Sequence, residues 1–538
     1  MVRYFIDSSE ETARVNTRFC IYLSIIIAIA AVVRLVFSPG ILASDDLTYF
    51  SRALEIAGST WSSSNYIGAM RYGVNIPIGA SIALFGPSLL AGSLVPLLCS
   101  LGEIVTVAIV VRPAWGDRVA LYAALLLCFT PLHIEVATHI HADPILAFAI
   151  TLTFALFWRG ETSNNPWLYF AAGISAGFAY WTKEVSILFL TTCVVYALAE
   201  RRWRWSWGYA GAGALLLFAL NSALMWALSG DPLHVVRVAR STVNIGWTIS
   251  DTPLFYFHYL FFDVRHIWLA AYLALTSGYL LVRRRLMTAD QRRLGAYATI
   301  WLLGLLAAFS FIPVSFAPLR FVGKQSNYMT MFLAPLAIIG AFGLSQMGRL
   351  TRTAVMIVFV AGGVALAALA QQDTRAFVAN SQAAEAFAEA HTNDVVYGTG
   401  WVSRISAFHA LLRSLKAEPR VHDLRTLHPV AGMRPGDTLV VVIDRETFGR
   451  SEEDVKLPDI PPCWVPTGEL VPIGYGAGAI VTKALVWGGR ILPGRLGDRA
   501  MQTFERLLHP APAEVFAVPP DNPWCGRDPP GLIQDHKS

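Results

Sequence analysis

Apolar runs of about twenty residues, separated by short islands of arginine, recur through most of this chain, and that rhythm constrains the fold more than any motif does. A helix of roughly twenty residues matches the hydrocarbon core of a bilayer. The runs fall at 19–37, 87–111, 119–138, 144–158, 166–182, 185–200, 207–228, 266–282, 294–313, 327–347 and 353–370, so the sequence predicts about eleven transmembrane helices. Only 15% of the 538 residues are charged, against roughly 25% in soluble proteins, which excludes a soluble globular fold. The net charge of +5 is mild. Basic islands such as Arg201-Arg202-Trp203-Arg204 and Arg283-Arg284-Arg285 lie at span edges, where membrane topology accounts for them, and no nucleic-acid partner is implied.

With the N-terminus placed in the cytoplasm, the inside segments collect Arg3, Arg14, Arg18, Arg112, Arg118, Arg159 and the two islands. The outside loops are longer in total yet hold fewer cations, so an N-in orientation is expected. The first run is too long for a signal-peptide core and lacks a small-x-small cleavage site, so it reads as a span. An odd number of spans puts the tail outside. The expected organisation is a transmembrane module over 1–370, with outer loops at 38–86 and 138–143, and an extracytoplasmic α/β domain over 371–538. Within the tail, 381–390 reads as a short helix, and 395–397 and 438–443 as buried strands, the latter after a Pro435-Gly436-Asp437 turn. From Pro458 onward proline is frequent and little regular structure is expected. Cys20, Cys99, Cys128 and Cys193 lie in apolar runs, whereas Cys463 and Cys525 lie in the polar tail, where a disulfide between them depends on the compartment.

Polar chemistry gathers on the outer loops. Ser44-Asp45-Asp46 follows the first span; Ser44 suits a helix cap and the two acids suit a first turn, yet paired carboxylates at the mouth of a membrane cavity also suit a general base or a metal ligand. Arg71, followed by Tyr72 and Gly73, suits either lipid phosphate or a substrate phosphate. In His139-Ile140-His141-Ala142-Asp143-Pro144, Asp143 reads as the cap of the next helix, while the two histidines have no such structural role. His141 and Asp143 are candidate ligands of a divalent ion. Lys183 and Glu184 sit between two spans, where ionisable groups are functional suspects. Arg320 and Lys324, just before Tyr328, are outer-face cations that run against the positive-inside trend, and an anionic substrate headgroup or lipid phosphate would account for them.

These residues, in this order and on these loops, resemble the GT-C superfamily of lipid-carrier-dependent glycosyltransferases, in particular bacterial relatives of the protein O-mannosyltransferases and the lipid A aminoarabinose transferases. The resemblance is carried by Asp45-Asp46-Leu47-Thr48-Tyr49, by Arg71-Tyr72-Gly73 through Leu84-Phe85-Gly86, by Thr130-Pro131-Leu132-His133 with Asp143-Pro144, and by Lys324 with Asn327-Tyr328-Met329 and Pro335. Asn327 stands where relatives often carry arginine. The resemblance implies an inverting transfer of a sugar from a polyprenyl-phosphate carrier to a cell-envelope acceptor (glycolipid, polysaccharide or protein) at the outer face of the plasma (inner) membrane. Asp45 would be the base. Asp46 and Asp143 would orient the acceptor or hold a metal, and Arg71, Tyr72, His139, His141, Lys183, Glu184, Arg320, Lys324 and Tyr328 would bind substrate. Some relatives use a metal and others do not. A transporter or flippase of a lipid-linked sugar would share the groove and the cations but need no base; such proteins often show repeat symmetry and broken helices deep in the membrane, whereas no internal repeat is seen here and the acids cluster at one face rather than at the midplane.

Overall fold

A computed structural model describes residues 2–200, 204–244, 252–282, 287–316, 319–429, 438–448 and 459–526. Arg201 to Trp203, Arg283 to Arg285 and the Pro435-Gly436-Asp437 turn lie outside them. Every span read from the sequence overlaps a helix, and seven described helices are long and apolar enough to cross a bilayer. The helix Leu89–Cys128 is two helices merged at Gly116, whose φ of 81° is open to glycine but strained for other residues. Arg112 donates to Asp117 at 2.7 Å across this corner.

The run at 119–138 departs from expectation. Its helix stops at Cys128, and a five-residue helix, Pro131–Glu135, restarts after Thr130. Pro131 can open a helix but cannot continue one, because it lacks an N–H and clashes with the preceding turn.

The chain divides into two compact units. The first comprises residues 1–36, 61–77 and 93–366. Its largely aliphatic core contains an aromatic cluster: Phe154 stacks on Tyr297 with ring centroids 4.3 Å apart and meets Trp301 at 4.7 Å. A small antiparallel hairpin pairs β1 (Pro313–Phe316) with β2 (Leu319–Phe321).

The second unit comprises 37–60, 78–92 and 367–538. Its sheet contains β3 (Val395–Gly398), β4 (Val421–Asp423), β5 (Leu439–Ile443), β6 (Val465–Leu470) and β7 (Ala513–Val518), in the order β4-β3-β5-β7-β6. The first three are parallel, and β7 and β6 close the sheet antiparallel. The central strand β5 is apolar throughout because both its faces are covered: Val441 packs with Tyr397 and Phe516, and Val440 and Val442 pack with Val396 and Val515. The expected short helix at 381–390 is instead the end of one continuous helix, Arg349–Ala390. Beyond Pro458 the structure is more regular than the proline content suggests, with two strands and the helices Gly478–Ile491 and Arg495–Leu508. The prolines there fall mostly in the connections between these elements.

Cys463 and Cys525 form a disulfide across 62 residues, beside Trp464 and Trp524, whose rings lie 5.6 Å apart. Cross-linking a loop of this length restricts the unfolded chain. Replacing both cysteines by serine is expected to destabilise the tail by roughly 2–4 kcal/mol, measured as earlier cleavage of the tail in a thermal proteolysis series.

Candidate functional site

In the second unit, the loop after the first span leads into the helix Asp45–Ala57. Ser44 occupies the cap position, but its side chain makes no cap bond. Asp46 organises the turn: its carboxylate accepts the N–H groups of Leu42 and Ala43 at 3.0 Å each and of Ser44 at 2.5 Å. Ala43 sits at φ 54°, a conformation costing an alanine of order 1–3 kcal/mol, and these bonds hold it there. Asp45, half-buried, precedes Asp46 in the same turn.

The helix Gly400–Arg413 braces this loop from the tail. Trp401 Nε1 donates to the Leu42 carbonyl at 3.0 Å, and Arg404 Nε donates to the Ala43 carbonyl at 2.8 Å. Phe50 stacks on Phe408 at 5.1 Å. A hydrogen bond from a charged donor contributes about 1.5–3 kcal/mol. Arg404→Ala is therefore expected to speed amide exchange at residues 42–46 by roughly ten- to a hundredfold, read by hydrogen–deuterium exchange; unchanged protection would show that the loop holds itself.

In the first unit, Asp143 is fully buried at the second position of the helix Ala142–Ser163. It is not the cap expected from sequence; His141 holds that position and makes no side-chain cap bond. The carboxylate is instead spent on side chains. Lys183 Nζ lies 2.9 Å from one oxygen, Asn327 Nδ2 donates to the other at 3.1 Å, and His141 Nδ1 contacts the latter. Asn327 thus serves as an amide donor to Asp143. The Lys183 ammonium also lies 4.7 Å from the Tyr328 ring centre.

Next along the chain, Glu184 receives the fork of Arg71, with Nε at 3.2 Å and Nη2 at 2.9 Å. Burial works to raise the Glu184 carboxyl, but the Arg71 guanidinium, a backbone N–H and Lys183 together outweigh it and hold the group below its ordinary range. Gly73 permits the close approach of these segments: a Cβ there would come within 2.5 Å of the Thr182 hydroxyl. Tyr72 stacks on Trp61 at 6.0 Å and donates to the Ser62 carbonyl.

The remaining site residues of this unit are dispersed. Lys324 is buried, donates to the Phe309 carbonyl and lies 5.4 Å from the Tyr256 ring centre, and burial lowers its pKa. Arg320 stands exposed on β2. His139 is pushed down to about 4 by burial and then by His141 beside it, and its Nε2 has no hydrogen-bond partner among the described residues.

A divalent ion held by His141 and Asp143 does not fit. The two side chains contact each other, and Lys183 and Asn327 already engage the Asp143 oxygens. Among the described residues, no group of three or more His, Cys, Asp or Glu is gathered for a metal.

Sequence reasoning missed one buried polar cluster. Arg34 Nη2 lies 2.6 Å from His133 Nδ1 and Arg34 Nε donates to Ser100 Oγ at 2.9 Å. His133 Nε2 lies 3.1 Å from Glu103, which also accepts from Thr151 at 2.9 Å. The signal was available: Arg34 and Glu103 are isolated charges within long apolar runs, and such charges pair inside the protein.

Residues 74–226 match the family model for dolichyl-phosphate-mannose-protein mannosyltransferases. The comparison with curated proteins found no match. Among solved structures, ArnT from Cupriavidus metallidurans, bound to undecaprenyl phosphate, superposes with a TM-score of 0.54 at 16% identity, covering 79% of this chain and 93% of that one. The archaeal oligosaccharyltransferase AglB from Archaeoglobus fulgidus, in complex with an inhibitory peptide and a dolichol-phosphate, follows more distantly, with a TM-score of 0.43 at 13% identity over 79% of this chain and 70% of that one. By its long apolar helices and the architecture it shares with ArnT, the chain has a polytopic helical membrane fold similar to that of ArnT, and one segment of it matches the mannosyltransferase model.

Proposed function

We propose that this protein is an inverting glycosyltransferase that moves a sugar from a polyprenyl-phosphate carrier to a cell-envelope acceptor at the outer face of the membrane. The observation that carries the reading is the division of labour in the first outer loop. Asp46 holds the turn together through three backbone N–H groups, and the half-buried Asp45 beside it in the first turn of the same helix is assigned the chemistry. Support comes from the mannosyltransferase match and from the fold shared with an undecaprenyl-phosphate-bound enzyme.

On this reading, Asp45 takes the proton of the acceptor hydroxyl as that oxygen attacks the anomeric carbon. The bond from that carbon to the carrier phosphate breaks in the same step, which inverts the centre. Charge grows on the departing phosphate, and fixed cations that meet it there lower the barrier. Lys324 and Arg320 are assigned to that phosphate. Arg71 and Lys183 each have a carboxylate partner, so their part is to hold the outer loops in shape and to shift toward an anion only when one competes with Glu184 or Asp143.

The tail disulfide fits an oxidising compartment, which supports an extracytoplasmic tail and a cytoplasmic N-terminus. The acceptor and sugar are tested together by deleting the gene, complementing with wild type, and comparing lipid, protein and polysaccharide glycans by mass spectrometry. One sugar mass lost from one fraction and restored on complementation is the expected result. Accumulation of untransported carrier-linked sugar, with transfer activity intact in broken membranes, would favour a flippase instead.

A further inference from the structure

The helix Gly478–Ile491 presents an apolar stripe outward. Ile480, Ala484, Trp487 and Ile491 are all exposed, with Trp487 65% accessible, and they recur at intervals of four, three and four residues, one face of a helix. The opposite face, with Ala479, Thr482, Val486 and Gly489, is buried. Leu492 and Leu496 extend the exposed apolar surface around the turn into the next helix. Lys483 and Arg490 flank the stripe on one side, about 70–90° from its centre around the helix. The adjoining helix Arg495–Leu508 turns polar residues outward, including Arg499, Gln502 and Arg506.

The height of this hairpin is set by its attachments. Both ends are fastened to the helix Arg349–Ala390 where its apolar run gives way to Gln371-Gln372-Asp373. The Gly478 N–H donates to Gln371 Oε1 at 2.7 Å, and Gln372 Nε2 donates to the Leu507 carbonyl at 2.9 Å. Gly478 packs so closely on Ala368 that a Cβ would come within 2.1 Å of its carbonyl oxygen. The end of an apolar run marks the depth of the bilayer surface. The stripe is therefore hung at the boundary between acyl chains and headgroups, with a tryptophan and flanking cations that suit that layer.

We propose that the helix Gly478–Ile491 lies in the membrane interface, with Ile480, Trp487 and Ile491 against the acyl chains and Lys483 and Arg490 on the phosphates of anionic headgroups. The occupant of the apolar face is the bilayer that the chain already spans, and the inference stands independently of the reaction proposed above.

The test uses the full-length protein in nanodiscs of phosphatidylglycerol or of phosphatidylcholine. Trp487 is replaced by the photo-crosslinker p-benzoylphenylalanine, with the same replacement at Gln502 as the control. On irradiation, position 487 is expected to form lipid adducts visible by mass spectrometry, and position 502 is not. Adducts from 487 to a second copy of the chain, or no lipid adduct at 487, would overturn the proposal. Reversing the flanking charges by Lys483→Glu with Arg490→Glu, both exposed, is expected to lower the adduct yield several-fold in phosphatidylglycerol and to leave it unchanged in phosphatidylcholine. An equal yield in the two lipids before and after reversal would overturn the headgroup assignment.

Discussion

Asp45→Asn is expected to lower sugar transfer by about 10²–10⁴-fold, the range a positioned general base supplies, while the protein inserts and folds as wild type. Asparagine keeps the shape and the place in the first turn but cannot accept the acceptor's proton. Each tenfold corresponds to about 1.4 kcal/mol of barrier, so the loss amounts to roughly 3–5 kcal/mol, confined to the chemical step. The measurement is the rate of transfer in proteoliposomes at saturating carrier-linked donor, alongside donor binding, which is expected to hold. Wild-type turnover in this variant would remove Asp45 from the base role. The neighbouring change differs in kind. Asp46→Asn sets an amide donor among three N–H donors, so its expected effect is a loosened loop, seen in exchange as well as in rate.

The second large effect is on stability. Asp143 and Lys183 are both almost wholly buried and pair at 2.9 Å. Removing one partner strands a charge without water or counter-ion, at a cost of about 3–5 kcal/mol. Asp143→Asn is therefore expected to lower yield and the midpoint of thermal unfolding in detergent markedly. Adding Lys183→Met to it is expected to recover most of that loss, because the stranded ammonium is gone and the methionine stem fills similar space. If the double variant is no more stable than the single one, the penalty comes from packing rather than charge.

How much of this was legible in the sequence divides along physical lines. The spans were legible because bilayer thickness imposes a length on apolar runs, and the acids of the first outer loop were placed in a helix's first turn from local pattern alone. The β-strands at 395–398 and 439–443 were legible from continuous apolar runs. What escaped was partnership over distance. Nothing local says that Asp143 meets Lys183 and Asn327, 40 and 184 residues away, or that His133 links Arg34 to Glu103. The cap reading of Asp143 failed for that reason: a good local explanation competed with long-range charge pairing and lost. The helices beyond Pro458 escaped because proline frequency was read as a property of the segment, whereas most of the prolines lie in the connections.

The bracing of the Asp45 loop by Trp401 and Arg404 also bears on how such proteins can be recombined. Residues 37–60 and 78–92 pack as one body with 367–538, although they lie far apart in sequence. A hybrid that exchanges the tail with that of a distant relative would present a foreign helix face to the Leu42 and Ala43 carbonyls. Grafting would succeed only if all three stretches travelled together, so the transplantable module in this chain is discontinuous, and substitutions in the short acid loop are expected to be inherited jointly with those on the face of the helix Gly400–Arg413.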